Sequence, residues 1–170
     1  MATPTNTLKD AGGPQQILSL LDRLHCRLDR ARQSPGYHRD KCHFVYQLAR
    51  VINTKNIVEA GTSFRVSTNY LGLAVSANVR ASGGPGTVIG TEHEPSKAEQ
   101  ARKSWAEAGE VMSRHIDLRV GDLRETLKEN VPTVDMLPWT MSYFFTLKQA
   151  EPYTNVNSSL SFYDASRFQS

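Results

Sequence analysis

The sequence predicts an α/β fold built on a parallel sheet, and three observations carry that reading. From Asn56 onward, short β-branched runs alternate with stretches of helical period. The resulting β-α-β-α-β-α-β order calls for crossover connections that lay successive strands parallel. Three consecutive strands end in an acid (Glu59, Glu92 and Asp122), and a glycine turn follows the first of them.

The elements follow in order. Residues 1–13 are polar, read as a flexible lead, and contain no apolar stretch of the kind a secretory signal needs. Ile17, Leu20, Leu21, Leu24 and Leu28 recur at three- and four-residue steps, which predicts an amphipathic helix with Asp22, Arg23, Arg27, Asp29 and Arg30 on its other side. Ser34-Pro35-Gly36 breaks it. A second helix is expected from about Lys41 to Val51, with Phe44, Val45, Leu48 and Ala49 turned inward. Helices placed ahead of the first strand would cap a sheet edge or close over a ligand.

Ile57–Ala60 is the first predicted strand, and a crossover helix follows from Ser67 to about Val79. After the loop Ala81-Ser82-Gly83-Gly84-Pro85-Gly86, Thr87–Thr91 is the second strand, ending at Glu92. The next helix starts with Pro95 at its first position and stops at Gly109, burying Ala98, Ala101 and Trp105 and pairing Glu99 with Lys103 outside. Ile116–Val120 is the third strand, a short helix spans Leu123 to Glu129, and Val131–Leu137 is the fourth strand. Beyond it the periodic pattern stops. Tyr143 to Ala150 reads as a short helix at most, and 151–170 as an irregular, Ser- and Asn-rich tail. The division is therefore a lead at 1–13, a domain at 14–137 and an atypical segment at 138–170.

Composition narrows the function. The 170 residues are enough for one domain with its own core. Their apolar fraction of 39% and charged fraction of 22% are those of an ordinary globular chain. A net charge of +3 without a dense basic run or a stacking array of aromatics gives no support to nucleic-acid binding. No stretch reaches the roughly 18 apolar residues of a membrane helix, and a cytoplasmic location is the expectation. Cys26 and Cys42, the two cysteines, match neither a metal clip nor a redox motif and read as reduced structural thiols. His93 and His115 lack partners at metal-binding spacing, His38 and His43 flank Cys42 near a helix start, and no metal site is expected. No G-x-S-x-G occurs, against a hydrolase. Trp105 and Trp139 read as packing residues.

The segment Val58-Glu59-Ala60-Gly61-Thr62-Ser63-Phe64-Arg65-Val66-Ser67-Thr68 runs from strand through turn to helix. Such a unit presents free backbone N–H groups and the positive helix end to a small ligand. A nicotinamide dinucleotide loop would read G-x-G-x-x-G, and this loop has one glycine. Open parallel sheets bind ligands at the carboxyl ends of their strands. Acids repeated along that edge suit a nucleoside-like ligand: Glu92 for both ribose hydroxyls, Asp122 for an exocyclic amine, and Glu59 for an ammonium or, through water, the far end of the ligand.

Three blocks in order, VEAGTSFRVSTNYLGLA, TVIGTEHEPSKAEQARKSWAEAG and IDLRVGDLRETL, resemble the class I S-adenosylmethionine-dependent methyltransferases. They are most similar to the small O-methyltransferases related to catechol O-methyltransferase. The resemblance covers roughly residues 40–137. It implies a Rossmann-like fold with helices on both faces of the sheet, and S-adenosyl-L-methionine as cofactor. Carried over position by position, it implies cofactor contacts at Glu59, Gly61, Thr62, Ser67, Glu92 and Asp122. The activity implied is methyl transfer to a small hydroxylated or phenolic acceptor, in a tailoring step of secondary metabolism.

The sequence departs from that family at two places. Arg65 stands where a second glycine is usual, and Pro138-Trp139-Thr140 replaces the acid-ended close of the fourth strand, with Thr140 at the place of a metal-binding acid. Three further strands are expected of the family, so the chain reads as incomplete after strand four and C-terminally truncated, leaving that strand as an edge open to homodimer or edge-strand association. No catalytic base can be nominated from the sequence. A catalytically inactive remnant that binds cofactor or a protein partner is the alternative the sequence leaves open.

Overall fold

The structure is a computed structural model that describes residues 15–32, 37–62, 66–139 and 143–146. The lead at 1–13, the Ser34-Pro35-Gly36 break, Arg65, Thr140 and the tail beyond Thr146 lie outside the described residues, as do the side chains of Leu28, His38 and Trp139. In chain order the elements are α1 (Gln15–Arg32), α2 (Tyr37–Val51), β1 (Asn56–Glu59), α3 (Val66–Ser82), β2 (Thr87–Glu92), α4 (Pro95–Ala108), α5 (Glu110–Ser113), β3 (Ile116–Val120), α6 (Leu123–Thr126), β4 (Met136–Trp139) and β5 (Tyr143–Thr146).

The sheet order is β3-β2-β1-β4-β5, with β3, β2, β1 and β4 parallel. The chain thus steps outward from β1 to β3, then returns to β1's other side with β4. That reversal is a topological switch point, and it opens a crevice beside the end of β1. β5 differs from expectation. Tyr143–Thr146 forms a strand rather than a helix and pairs antiparallel with β4, Trp139 opposite Tyr143. Among the described residues four strands run parallel, and β4 is not the edge of the sheet.

The two faces of the sheet are covered unequally. Period-2 alternation sends Ile57, Val88 and Met136 into one large core with Leu20, Leu21 and Leu24 of α1, Val45 and Ala49 of α2, Leu71 and Val75 of α3, and Ala101 and Trp105 of α4. Val58 and Ile89 face the other way, where Leu127 and the partly buried Leu123, Val131, Val134 and Leu137 form a small cluster. Helices do lie on both faces, yet among the described residues one face carries four long ones and the other the single turn of α6.

Local chemistry explains most boundaries. α4 has Pro95 in its first turn and ends at Gly109, whose φ of 89° a residue with a Cβ rarely adopts. Its exposed Glu99 and Lys103 pair at 2.7 Å. Gly86 precedes β2 where a Cβ would sit 2.5 Å from Val79 Cγ2, 2.8 Å from Val75 Cγ1 and 3.2 Å from the Lys55 carbonyl oxygen, so only glycine lets this turn close on α3.

Three expectations need correction. Phe44 is 58% exposed while Val45 and Ala49 are buried, because the inward stripe of α2 also takes Cys42 and Tyr46. Cys42 is buried as a structural thiol should be, but Cys26 is exposed. The fourth strand begins at Met136, not Val131. The stretch before it is drawn aside by Asp135, whose carboxylate accepts from the Lys55 and Asn56 N–H groups at 2.8 and 3.0 Å and fastens β4 to the start of β1. Pro138 still takes part in that pairing through its carbonyl, which accepts from the Ala60 N–H at 3.3 Å.

Candidate functional site

Because β1, β2 and β3 are neighbours and parallel, their last residues share one edge. Glu59 ends β1, Glu92 ends β2, and Asp122 follows β3 after Gly121. The three acids expected from the sequence therefore stand side by side, the first of them beside the switch point. Their surroundings differ.

Glu59 is 3% exposed. Alternation along β1 turns it toward the first turn of α3, where the Thr68 hydroxyl donates to its Oε2 and the Ser67 hydroxyl also hydrogen-bonds to it. Burial pushes the carboxyl up to about 7, against the opposing pull of those two hydroxyls. From α2 the buried Cys42 thiol lies close enough to feel the same charge. Burial first and Glu59 second push that thiol up to about 12.

The loop after Glu59 is sewn to the end of β2. Gly61, at φ 84°, donates its N–H to Thr91 Oγ1 at 3.1 Å, and Thr62 donates to the Thr91 carbonyl at 2.8 Å. The Thr91 hydroxyl in turn donates to the Glu59 carbonyl at 3.2 Å. Thr62 is 2% exposed, and its hydroxyl has no hydrogen-bond partner among the described residues. A buried hydroxyl of this kind is costly unless something else meets it. Gly90 makes the space around it, since a Cβ there would lie 2.7 Å from Thr62 Oγ1 and 3.8 Å from Thr68 Cγ2. Gly90 and Thr91 were not among the expected site residues. Their signal was available only as an interruption of an apolar strand by a glycine and a hydroxyl.

Glu92 is nearly buried at 8%, and its Oε1 accepts from the Glu94 N–H at 3.0 Å. Its backbone carbonyl accepts from Gly121 N–H at 2.9 Å, which ties the end of β2 to the Asp122 turn. Asp122 caps α6 through the Arg124 N–H at 2.8 Å and holds the Arg124 guanidinium through both oxygens, at 3.1 Å to Nε and 2.7 Å to Nη2. The Arg124 side chain, then its backbone N–H, hold the Asp122 carboxyl down at about 2. A ligand amine reaching Asp122 would share it with Arg124.

The arrangement can therefore do three things along one edge: meet a cation at Glu59, a small anion or hydroxyl at the Thr62 loop, and hydroxyl or amine donors at Glu92 and Asp122. Gly61, Thr62 and Ser67 stand with Glu59 at one end of this row, and Asp122 stands at the other. Among the described residues, no group of three or more metal-ligating side chains converges and no helix is long and apolar enough to cross a membrane.

No protein-family model matches the chain, and no curated protein matches it. Solved structures do. A Klebsiella pneumoniae protein assigned as an O-methyltransferase is 26% identical, with a TM-score of 0.54 over 78% of this chain and 56% of its own. TomG, an O-methyltransferase of Streptomyces achromogenes involved in tomaymycin synthesis and crystallised with S-adenosylmethionine, is 24% identical, with a TM-score of 0.55 over 74% and 53%. An O-methyltransferase from Bacillus cereus in complex with S-adenosylhomocysteine is 20% identical, with a TM-score of 0.57 over 78% and 58%. The chain spans little more than half the length of each of these three.

Proposed function

We propose that this chain, whose fold is that of the class I S-adenosylmethionine-dependent methyltransferases, binds S-adenosylmethionine along the edge formed by Glu59, Glu92 and Asp122 and serves methyl transfer to the oxygen of a small hydroxylated acceptor. The observation that carries the reading is the cradle beside Glu59: the left-handed turn at Gly61, the buried hydroxyl of Thr62 that no described residue meets, and the space kept open by Gly90. A phosphate-binding dinucleotide loop has no use for an acid at the strand end and a lone glycine. A methionine-like group, with its ammonium and carboxylate, does.

When bound, S-adenosylmethionine supplies a methyl group on a sulfonium, open to in-line attack. The chain's own residues do the holding. Glu59 and the Ser67 hydroxyl face the ammonium, the Gly61 and Thr62 region faces the carboxylate, Glu92 accepts from the ribose hydroxyls, and Asp122 accepts from the adenine amine. Holding both halves of the ligand fixes the methyl in place, and positioning is the largest contribution the fold can make to such a displacement. The acceptor, its phenolic character and a role in secondary metabolism belong to this proposal, as do a cytoplasmic location and homodimer or edge-strand association.

Titration calorimetry with S-adenosylhomocysteine and with NAD tests the binding. Heat with the first and none with the second is expected, and a preference for NAD would overturn the reading. Radiolabelled methyl transfer over a panel of catechols and phenols tests the reaction. Binding without transfer would leave a cofactor-binding module, the rival reading.

A further inference from the structure

We propose that Glu59 is carried as the neutral acid in the ligand-free protein and releases its proton to solvent when an ammonium group docks against it, so that cofactor capture is a proton-coupled step. The inference rests on the reading of the site given above.

The geometry around Glu59 supports it from every side. The carboxyl is buried between β1, α2 and α3. Its hydrogen-bond partners are the neutral hydroxyls of Ser67 and Thr68 on α3, which donate to a carboxylate and can equally accept from a carboxylic acid. On α2 the neighbour is the Cys42 thiol, itself held protonated by burial, with Lys41 next along the helix acting on that thiol. On α3 the Tyr70 hydroxyl is engaged with His25 of α1 at 3.0 Å. On β2 the Thr91 hydroxyl is spent on the Glu59 backbone carbonyl. Among the described residues, no Lys, Arg or His forms an ion pair with Glu59.

A carboxylate buried without a countercharge is strongly disfavoured and takes a proton instead. Among the described residues nothing supplies that countercharge, and an arriving ammonium would. The exchange balances as neutral acid plus ammonium ligand giving a carboxylate–ammonium pair and one hydronium ion in bulk water. The raised carboxyl, up to about 7, agrees with that resting state at mildly acid pH.

Calorimetry of S-adenosylhomocysteine in two buffers that hold the working pH but differ in ionisation heat, phosphate and Bis-Tris near pH 6 and Tricine and Tris near pH 8.5, counts protons released per ligand bound. About one proton is expected near pH 6 and close to none near pH 8.5. Glu59→Gln, which mimics the neutral acid and keeps the hydroxyl contacts, should abolish the release, as should 5′-methylthioadenosine, which lacks the ammonium. Ligand binding whose heat is the same in both buffers near pH 6 would overturn this inference while leaving the cofactor reading intact. Infrared spectra of the ligand-free protein give an independent reading: a carboxylic acid carbonyl band at pH 6, missing in Glu59→Gln. Absence of that band overturns the neutral resting state whatever the ligand does. Silence from both ligands would overturn the functional reading and the docking step with it.

Discussion

His25 on α1 and Tyr70 on α3 share a buried hydrogen bond of 3.0 Å, their rings meeting edge to face at 5.7 Å between centroids. This contact pins the first helix to the helix whose first turn holds Glu59. Tyr70→Phe keeps the ring and removes the hydroxyl, and with it this hydrogen bond. Stability should fall by about 0.5–1.5 kcal/mol. Urea unfolding with an unchanged slope would show it, and a midpoint equal to wild type would make the bond incidental.

The Glu59 carboxyl sets a pH signature on stability. Its folded value, raised to about 7, lies above the 4.5 of an ordinary carboxyl, so the folded state holds its proton more tightly. The stabilisation is fully present below about pH 4.5 and is lost as pH rises through about 7, a change on the order of 3 kcal/mol for this one group. Comparing unfolding of wild type and Glu59→Gln at several pH values isolates it. The two should diverge across that window, with wild type weakening relative to the variant. Parallel curves would show that Glu59 is not perturbed.

Glu92 is expected to anchor the ribose. Hydrogen bonds to a charged acceptor are worth about 1.5–3 kcal/mol each. Glu92→Ala should therefore weaken S-adenosylhomocysteine by roughly one to two powers of ten or more, read by calorimetry. An unchanged dissociation constant would remove Glu92 from the site.

Two glycines separate a binding defect from a folding defect. Gly90→Ala places a methyl 2.7 Å from Oγ1 of the buried Thr62, which must shift to admit it. Ligand affinity should fall strongly, and the melting temperature by less than in Gly86→Ala. Gly86→Ala meets two valine methyls and a backbone oxygen, the crowding that costs about 1–3 kcal/mol in a packed interior. Thermal melts and calorimetry on both variants should give opposite patterns. Equal losses of affinity in the two would refute the cradle at Gly90.

Much of this is legible in the amino-acid sequence. The alternation of strand and helix gave β1 and β2 because each is a buried apolar run, and β3 because Ile116, Leu118 and Val120 alternate with Asp117 and Arg119 ahead of Gly121-Asp122, while Pro95 and Gly109 mark α4 chemically. The row of acids was readable because parallel strands share a carboxyl edge. What was hidden depends on tertiary partners. Arg124 beside Asp122, and Thr68 beneath Glu59, belong to turns whose direction no local pattern reports. Gly90 looked like a weak point in a strand, and its use lies in the side chains that fill its space. Phe44 misled because an amphipathic period identifies a stripe without fixing its rim. β5 was missed because Tyr143–Thr146 carries no alternation of its own, and its strand form comes from pairing with β4.

β1 and β4 register Ile57 with Met136 between two backbone hydrogen bonds, Asp135 N–H to the Asn56 carbonyl at 2.8 Å and Ala60 N–H to the Pro138 carbonyl at 3.3 Å, and the Asp135 carboxylate adds its own hold on the start of β1. The register of the strand beside the switch point is thus fixed by a short ladder that one side chain locks. Sliding β4 by a single residue would rotate Met136 out of the helix-covered core and turn Leu137 into it, reversing inside and outside for the whole hairpin that β4 makes with β5. Asp135 therefore acts as the index mark of the fold, the point from which the far side of the crevice is measured.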